Sequence, residues 1–279
     1  MSKYFLIFLL SLFLNACSKD NNKVSVINEK SLELQVLEAY KAGVESLEQG
    51  DVLFAAKKFN EAEILFPQSI WAPKSALMAA YAYYSQDYYE DAIAELKRFV
   101  RVYPKYKDLD YAYYLLGISY YEQIVDETKD LKSIVDAKDT FNILIQNFPN
   151  TEYSLDAEFK IDLINDILAS KEMYVGRYYF ERKKWIPAIN RFKTVIDDYD
   201  TTIYTEEALH RLVETYYKIG LVNEASKYAK LLGYNYQSSV WYEKSYKIFN
   251  NNFEKNKKIK VKKEKSIIKK IKSLVDWDE

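Results

Sequence analysis

One spacing, met five times, limits this chain more than any other feature. Between Ala76 and Pro104, two amphipathic runs flank a short polar turn, Ser85-Gln86-Asp87. Ala92, Leu96 and Phe99 form an anchor triple in the second run, with Pro104 five residues on. Small residues (Ala76, Ala80, Ala92) fall where two helices would cross closely, and Tyr83, Leu96 and Phe99 supply bulk between them. Proline lacks an N–H and clashes with the preceding turn, so Pro104 ends the run. The triple recurs as Ala55, Phe59, Ala62 with Pro67, and as Ala137, Phe141, Leu144 with Pro149. It returns as Ala188, Phe192, Val195 with Asp200 at the proline position, and last as Ala225, Ala229, Leu232. A lead residue stands twelve positions before four of the triples: Gly43, Ala80, Gly176 and Val213. Gly117 stands twenty before Ala137, so an insertion of about eight residues (near Asp126 to Ser133) lengthens the third turn.

This spacing resembles the tetratricopeptide (TPR) repeat, a helix–turn–helix unit of 34 residues. One such pair cannot bury its apolar face alone, so neighbours must stack on it. The expected fold is all-α, a solenoid of about five tetratricopeptide-like helix pairs behind a lipoprotein signal peptide. Hydrophobic residues at 49% mark a folded chain, and 27 tyrosines against 6 glycines and 5 prolines suit stacked amphipathic helices. The net charge of -1 gives no global field toward nucleic acid or lipid.

The chain opens with Lys3 and an apolar run, Tyr4 to Leu14, too short to span a bilayer. It ends Leu14-Asn15-Ala16-Cys17, which resembles a bacterial lipobox. That resemblance implies cleavage after a signal peptide of residues 1–16 and acylation (palmitate among the chains) of the Cys17 thiol. An ordinary secretory signal with an incidental cysteine is the alternative. Several acyl chains anchor stably, at roughly 0.8 kcal/mol per buried methylene. Cys17 is the only cysteine, which excludes a disulfide within the chain and a thiolate metal site. Ser18 follows it, as in lipoproteins sent on to the outer membrane. Residues 17–33 read as a lipid-anchored tether, 34–150 as repeats 1–3, 151–246 as repeats 4–5 with a cap, and 247–279 as a lysine-rich tail. Phe66 to Pro73 reads as the longest non-helical connector of the N-terminal half, and Ser154 as a cap for a long helix running to about Glu181.

In such units the first helix of each pair lines the inner face. Counting from the anchors places Tyr40, Val44 and Leu47 there, then Leu77, Tyr81 and Tyr84, then Tyr111, Tyr114, Ile118 and Tyr121. Tyrosine joins a large rigid ring to one hydrogen-bonding tip, which suits an extended peptide with aromatic side chains. Tyr81, Tyr84, Tyr111, Tyr114 and Tyr121 are therefore candidate peptide-binding residues, with simple packing between helices as the other reading. Arg177, Arg182 and Arg191 cluster around the fourth repeat. They either pair with nearby Glu181 and Asp197 or offer a docking face to an acidic partner. Lysines are dense from Lys255 to Lys272, and Ile267, Ile268, Ile271, Leu274 and Val275 follow helical spacing. That tail is either solvated or in contact with anionic lipid or a partner.

No chemistry emerges from the motifs. His210 is the only histidine, so there is no histidine pair for zinc and no conventional histidine triad. Phosphate-binding Gly-rich loops and the Gly-x-Ser-x-Gly elbow are missing too. His210 reads as a partly buried ordinary histidine. The expectation is a protein that is not an enzyme and has no cofactor, no metal and no nucleic acid.

Local strings carry a closer likeness. They include Phe66-Pro67 with Trp71 and Ser75, Ala80-Tyr81-Ala82-Tyr83-Tyr84, and Arg98-Phe99 with Tyr103-Pro104. Asp110-Tyr111-Ala112-Tyr113-Tyr114-Leu115-Leu116-Gly117 follows, then Tyr153 with Asp156-Ala157. Tyr178-Tyr179 with Arg182, Trp185, Ala188 and Asn190-Arg191 comes next, and Gly233-Tyr234-Asn235-Tyr236 with Trp241-Tyr242 closes the series. Over roughly residues 34–246 the chain resembles the BamD family, lipoproteins of the outer-membrane β-barrel assembly (Bam) machine. The lysine-rich tail departs from that pattern. The resemblance implies a scaffold on the periplasmic face of the cell outer membrane, held there by its N-terminal lipid. Its N-terminal repeats would receive aromatic C-terminal signals of unfolded β-barrel proteins. Its C-terminal repeats, Arg191 among them, would bind the POTRA domains of the BamA-type barrel beside the complex's other lipoproteins. A tetratricopeptide lipoprotein serving peptidoglycan or division machinery would share anchor and repeats but not these strings.

Overall fold

The computed structural model describes residues 31–124 and 131–250. These hold eleven α-helices: α1 (Leu32–Glu48), α2 (Val52–Leu65), α3 (Trp71–Tyr84), α4 (Tyr89–Val102), α5 (Leu109–Tyr121) and α6 (Lys132–Asn147). Then come α7 (Glu152–Glu181), α8 (Trp185–Asp198), α9 (Thr205–Lys218), α10 (Val222–Asn235) and α11 (Val240–Phe249). Residues 1–30, with Cys17 and the leader, lie outside the described part, as do residues 125–130 of the insertion and the tail from residue 251.

Each helix packs on its predecessor, and every connection but the one between α5 and α6 is short. First helices of successive pairs also touch, α1 with α3, α3 with α5 and α5 with α7, so they form one row. The connections use left-handed residues where the chain must reverse at once: Gly50 and Gly220 at φ 81° and 85°, and Asp87 at φ 63° in the predicted Ser85-Gln86-Asp87 turn. A side chain at positive φ is unfavourable, though Asp and Asn tolerate it through local hydrogen bonds.

The anchor triples are the core. Ala55, Phe59, Ala62, Ala92, Leu96, Phe99, Ala137, Phe141, Leu144, Ala188, Phe192 and Val195 are all fully buried. Three of the rings press onto a glycine of the preceding helix. A Cβ added to Gly43 would lie 2.7 Å from the Phe59 ring, one on Gly117 2.4 Å from Phe141, and one on Gly176 2.5 Å from Phe192. The second repeat carries Ala80 with Leu96 in these positions, and the fifth carries Val213 with Ala229. As the receiving residue grows, the inserted one shrinks.

Two further features fix the order of repeats. Glu63 of α2, nearly buried, accepts two bonds from the Arg98 guanidinium of α4, at 2.7 and 2.6 Å. It also accepts one from the Tyr103 hydroxyl at 2.6 Å. This ties the second helices of repeats 1 and 2 together. The 30-residue α7 then serves two cores. Ala157 and Ile164 pack with residues of α5 and α6, whereas Ala169 and Met173 pack with residues of α8 and α9.

Two sequence expectations need correction. Helix α3 begins at Trp71, so the connector before it is shorter than the one from Tyr103 to Asp108. Pro73 sits inside its first turn, where a missing N–H costs no helical bond. Thr151, not Ser154, caps α7: its hydroxyl accepts from the Ser154 N–H at 3.1 Å. Ser154 turns back instead to the Phe148 carbonyl at 2.5 Å.

The ring-on-glycine contact leads to a paired expectation. Gly176→Ala should lower stability by about 1–3 kcal/mol, since an added methyl forces the Phe192 ring out of a close-packed site. Combining it with Phe192→Leu, which recreates the Ala–Leu pairing of repeat 2, should recover part of the loss. Urea unfolding of the single and double variants checks this.

Candidate functional site

Between α3 and α5 the row of first helices opens into a cleft of about 1070 Å³. Leu77, Met78 and Tyr81 of α3 form one wall, Tyr111 of α5 the other, and Tyr153 of α7 closes the inner end. Tyr81 is exposed and Tyr111 half-buried. The Tyr153 ring lies 5.3 Å from Tyr111 and 5.2 Å from Tyr114, so it is wedged against both. Tyr114 stands behind the cleft lining, with its hydroxyl donating to Asp156 at 2.8 Å. Burial raises the pKa of both Tyr111 and Tyr114, and Asp156 adds to the rise at Tyr114. Both rings therefore stay neutral and able to donate a hydrogen bond at physiological pH.

The predicted tyrosine stripe thus divides. Tyr81 and Tyr111 line the cleft, Tyr114 braces it, and Tyr84 and Tyr121 lie outside the lining. The Tyr84 ring rests against Tyr89, 5.9 Å away, and Tyr121 carries Lys160 over its face at 5.4 Å. Sequence reasoning missed Tyr153 as a wall of the cleft, together with Met78, Tyr106 and Lys74. Lys74 stands at the cleft with its ammonium 5.0 Å from the Tyr40 ring and 5.1 Å from Trp71, a cation–π arrangement. Lys107, also on the cleft, is paired with Asp108 at 3.7 Å. The lining is therefore largely aromatic and aliphatic, with Lys74, Lys107, Asp108 and Asp110 as its charged members, the mixture of apolar walls and a few polar groups typical of a binding cleft.

The three candidate arginines lie at the other end of the molecule, and all are engaged. Arg177 of α7 donates to Glu207 of α9 at 2.9 and 2.7 Å. Arg191 of α8 reaches Glu172 of α7 at 3.0 Å. These partners replace the expected Glu181 and Asp197. Arg182 stacks its guanidinium 3.6 Å over the Tyr178 ring and remains exposed beside Lys183, Lys184 and the exposed Ile186. Burial pushes the Glu207 carboxyl up, but Arg177 and Arg211 outweigh it and hold its pKa below the ordinary carboxylate value. The ion pairs run on through Arg211 to Glu214, 2.7 Å away.

That chain ends at His210, which the cap buries. Its Nδ1 lies 2.8 Å from the Ser245 hydroxyl of α11, and its ring is 5.2 Å from Trp241. Gly233 lets the cap approach, since an added Cβ would stand 2.7 Å from the Tyr242 ring. Among the described residues no group of His, Cys, Asp or Glu could hold a metal ion, and no helix is long and apolar enough to cross a membrane.

Burial lowers the His210 pKa from 6.5 to about 4. Between about pH 4 and 6.5 the folded state thus holds it neutral while the unfolded state protonates it. The stability this provides is complete above about pH 6.5 and is lost as pH falls toward 4, on the order of 3 kcal/mol in all. His210→Gln should remove that part of the acid sensitivity. Comparing urea midpoints at pH 7 and pH 4.5 for the two proteins tests it.

Comparison with known proteins gives a consistent set. The family model YfiO, described as an outer membrane lipoprotein, matches residues 33–231. A Rickettsia prowazekii protein named outer membrane protein assembly factor BamD is 42% identical over 212 residues, covering 76% of this chain and 84% of its own. Its Caulobacter vibrioides namesake is 41% identical over 227 residues, covering 81% and 73%. The Neisseria meningitidis serogroup A namesake is 32% identical over 249 residues, covering 86% and 93%.

Proposed function

The chain belongs to the BamD family of outer membrane assembly factors, and from that premise we propose that it is a scaffold that receives unfolded β-barrel proteins and docks them to the assembly complex. It is not an enzyme. Its N-terminal cleft takes the aromatic C-terminal segment of a client barrel protein. The arginine-bearing end, α7 to α9, takes the POTRA domains of a BamA-type barrel protein. The chain sits on the periplasmic face of the outer membrane, anchored through acylated Cys17. Residues 1–16 are removed, and residues 17–33 act as the tether between lipid and repeats 1–3 (34–150). Repeats 4–5 with their cap (151–246) follow, and then the tail (247–279).

One observation carries the client-binding reading: the cleft of about 1070 Å³ whose walls include Leu77, Tyr81, Tyr111 and Tyr153. An extended strand places alternate side chains on one side, so an aromatic terminus can seat a ring between Tyr81 and Tyr111 while its backbone stays hydrated. Such capture is held by apolar burial and by tyrosine hydroxyls, with no covalent step. A full aromatic ring removed from water supports about 1.5–3 kcal/mol, enough for transient capture and easy release. Tyr84, Tyr114 and Tyr121 are assigned supporting places along the same face, Tyr114 through Tyr153. At the far end Arg182 is the arginine with no carboxylate partner among the described residues, so its charge remains available to an acidic partner surface. Arg177 and Arg191 hold the helices that present it.

Tyr81→Ala combined with Tyr111→Ala should weaken a fluorescent peptide ending in phenylalanine by at least about tenfold, read by anisotropy. Unchanged affinity would remove the cleft from client binding. Arg182→Glu should reduce co-purification of the barrel partner from envelopes while leaving peptide affinity intact. Equal recovery of the partner would move docking elsewhere.

A further inference from the structure

The first half of α7 carries a surface that neither function uses. Leu155, Phe159 and Leu163 recur every fourth residue, so they stand above one another on one helix face. All three are exposed, Phe159 at 70%. Glu152, Asp162 and Asp166 share that face by the same helical spacing and have no lysine or arginine partner among the described residues. The face is open for a structural reason. Ala157 and Ile164 turn the opposite side of this half toward α5 and α6, while α8 packs on the second half of α7, around Ala169 and Met173. Among the described residues no helix covers this face of the first half. A large apolar stripe left open on a folded protein marks a binding surface, and the interleaved carboxylates specify a cationic occupant.

The chain contains such an occupant. We propose that its own C-terminal segment, Lys265 to Val275, docks on this face of α7. Ile267, Ile268, Ile271, Leu274 and Val275 match the apolar stripe in type and spacing, and Lys265, Lys269, Lys270 and Lys272 border them as the acidic groups border Phe159. The connection is long enough. Phe159 lies about 27 Å along α7 from Arg177, at 1.5 Å per residue. From there Arg177 bonds Glu207 of α9 at 2.7 Å, α9 runs about 15 Å on to Tyr217 at 1.5 Å per residue, and the Tyr217 ring lies 5.5 Å from Phe249 of α11. Residues 251–266 reach about 50 Å at roughly 3.3 Å each. Tethering within one chain also makes the contact intramolecular, so a weak apolar and ionic contact suffices. Docking would cover the exposed stripe and neutralise the lysine block that would otherwise face anionic lipid.

The test uses the full-length acylated chain in native envelopes with p-benzoylphenylalanine in place of Phe159. Irradiation should give an intramolecular adduct whose peptide maps to residues 255–279 by mass spectrometry. Asp162→Lys with Asp166→Lys should abolish that adduct, and adding Lys269→Glu with Lys270→Glu should restore it. Phe159 and Asp162 are exposed, Asp166 is half-buried and the lysines lie in the tail, and unchanged helical circular dichroism will verify the fold. An adduct to another polypeptide, to a second copy or to lipid, with none to the chain's own tail, overturns the proposal. So does the absence of any adduct.

Discussion

Everything in this molecule depends on a ring entering the space where a side chain is missing. Phe59, Phe141 and Phe192 each lie on a glycine of the helix before, at distances that would exclude even a methyl group. This contact sets how closely the two helices of a repeat approach. It therefore also sets where the next first helix must begin and how the row of first helices is spaced. Burying such a ring favours folding by roughly 1.5–3 kcal/mol, but its structural role is larger than its energy. A solenoid has no distant contacts to correct a local error, so each pair must fix its own geometry. The reciprocal sizes at Ala80 with Leu96 and at Val213 with Ala229 follow the same rule with different residues.

This rule was legible because both members of each pair lie a fixed number of residues apart. The anchors, the turn at Asp87 and the long α7 all follow from spacing and breaker residues within one repeat. What spacing could not show is any choice made between repeats. Arg177 and Arg191 have acidic neighbours in sequence, yet they select Glu207 and Glu172, because helix packing brings those carboxylates within bidentate reach. Glu63 meets Arg98 from 35 residues away, across two helices, and no local period announces that pairing. At α7 both Thr151 and Ser154 could cap, and position decided: the residue three before the free N–H accepts from it.

The tyrosines show a different limit. Period 3.6 assigns Tyr81, Tyr84, Tyr111, Tyr114 and Tyr121 to one broad side of their helices. A side spans more than 100°, however, and neighbouring helices cover part of it. Tyr81 therefore remains exposed, Tyr114 is turned toward Asp156, and Tyr84 meets Tyr89. Tyr153 completes the cleft from 42 residues beyond Tyr111, on a helix whose own pattern says nothing of α5. A residue with a greasy ring and a polar tip suits both core and surface, so only tertiary placement separates the two uses.

Helix α7 has one more implication. Tyr153 at its start touches the cleft, and Arg177 near its end is tied to the neighbourhood of the exposed Arg182. An unbroken helix keeps those points about 36 Å apart, and no hinge lies between them. The molecule thus acts as a gauge block: whatever is held at one end is offered to whatever is held at the other at a set pitch. On the proposed reading, a longer or shorter α7 would misalign client and machine even with both grips intact.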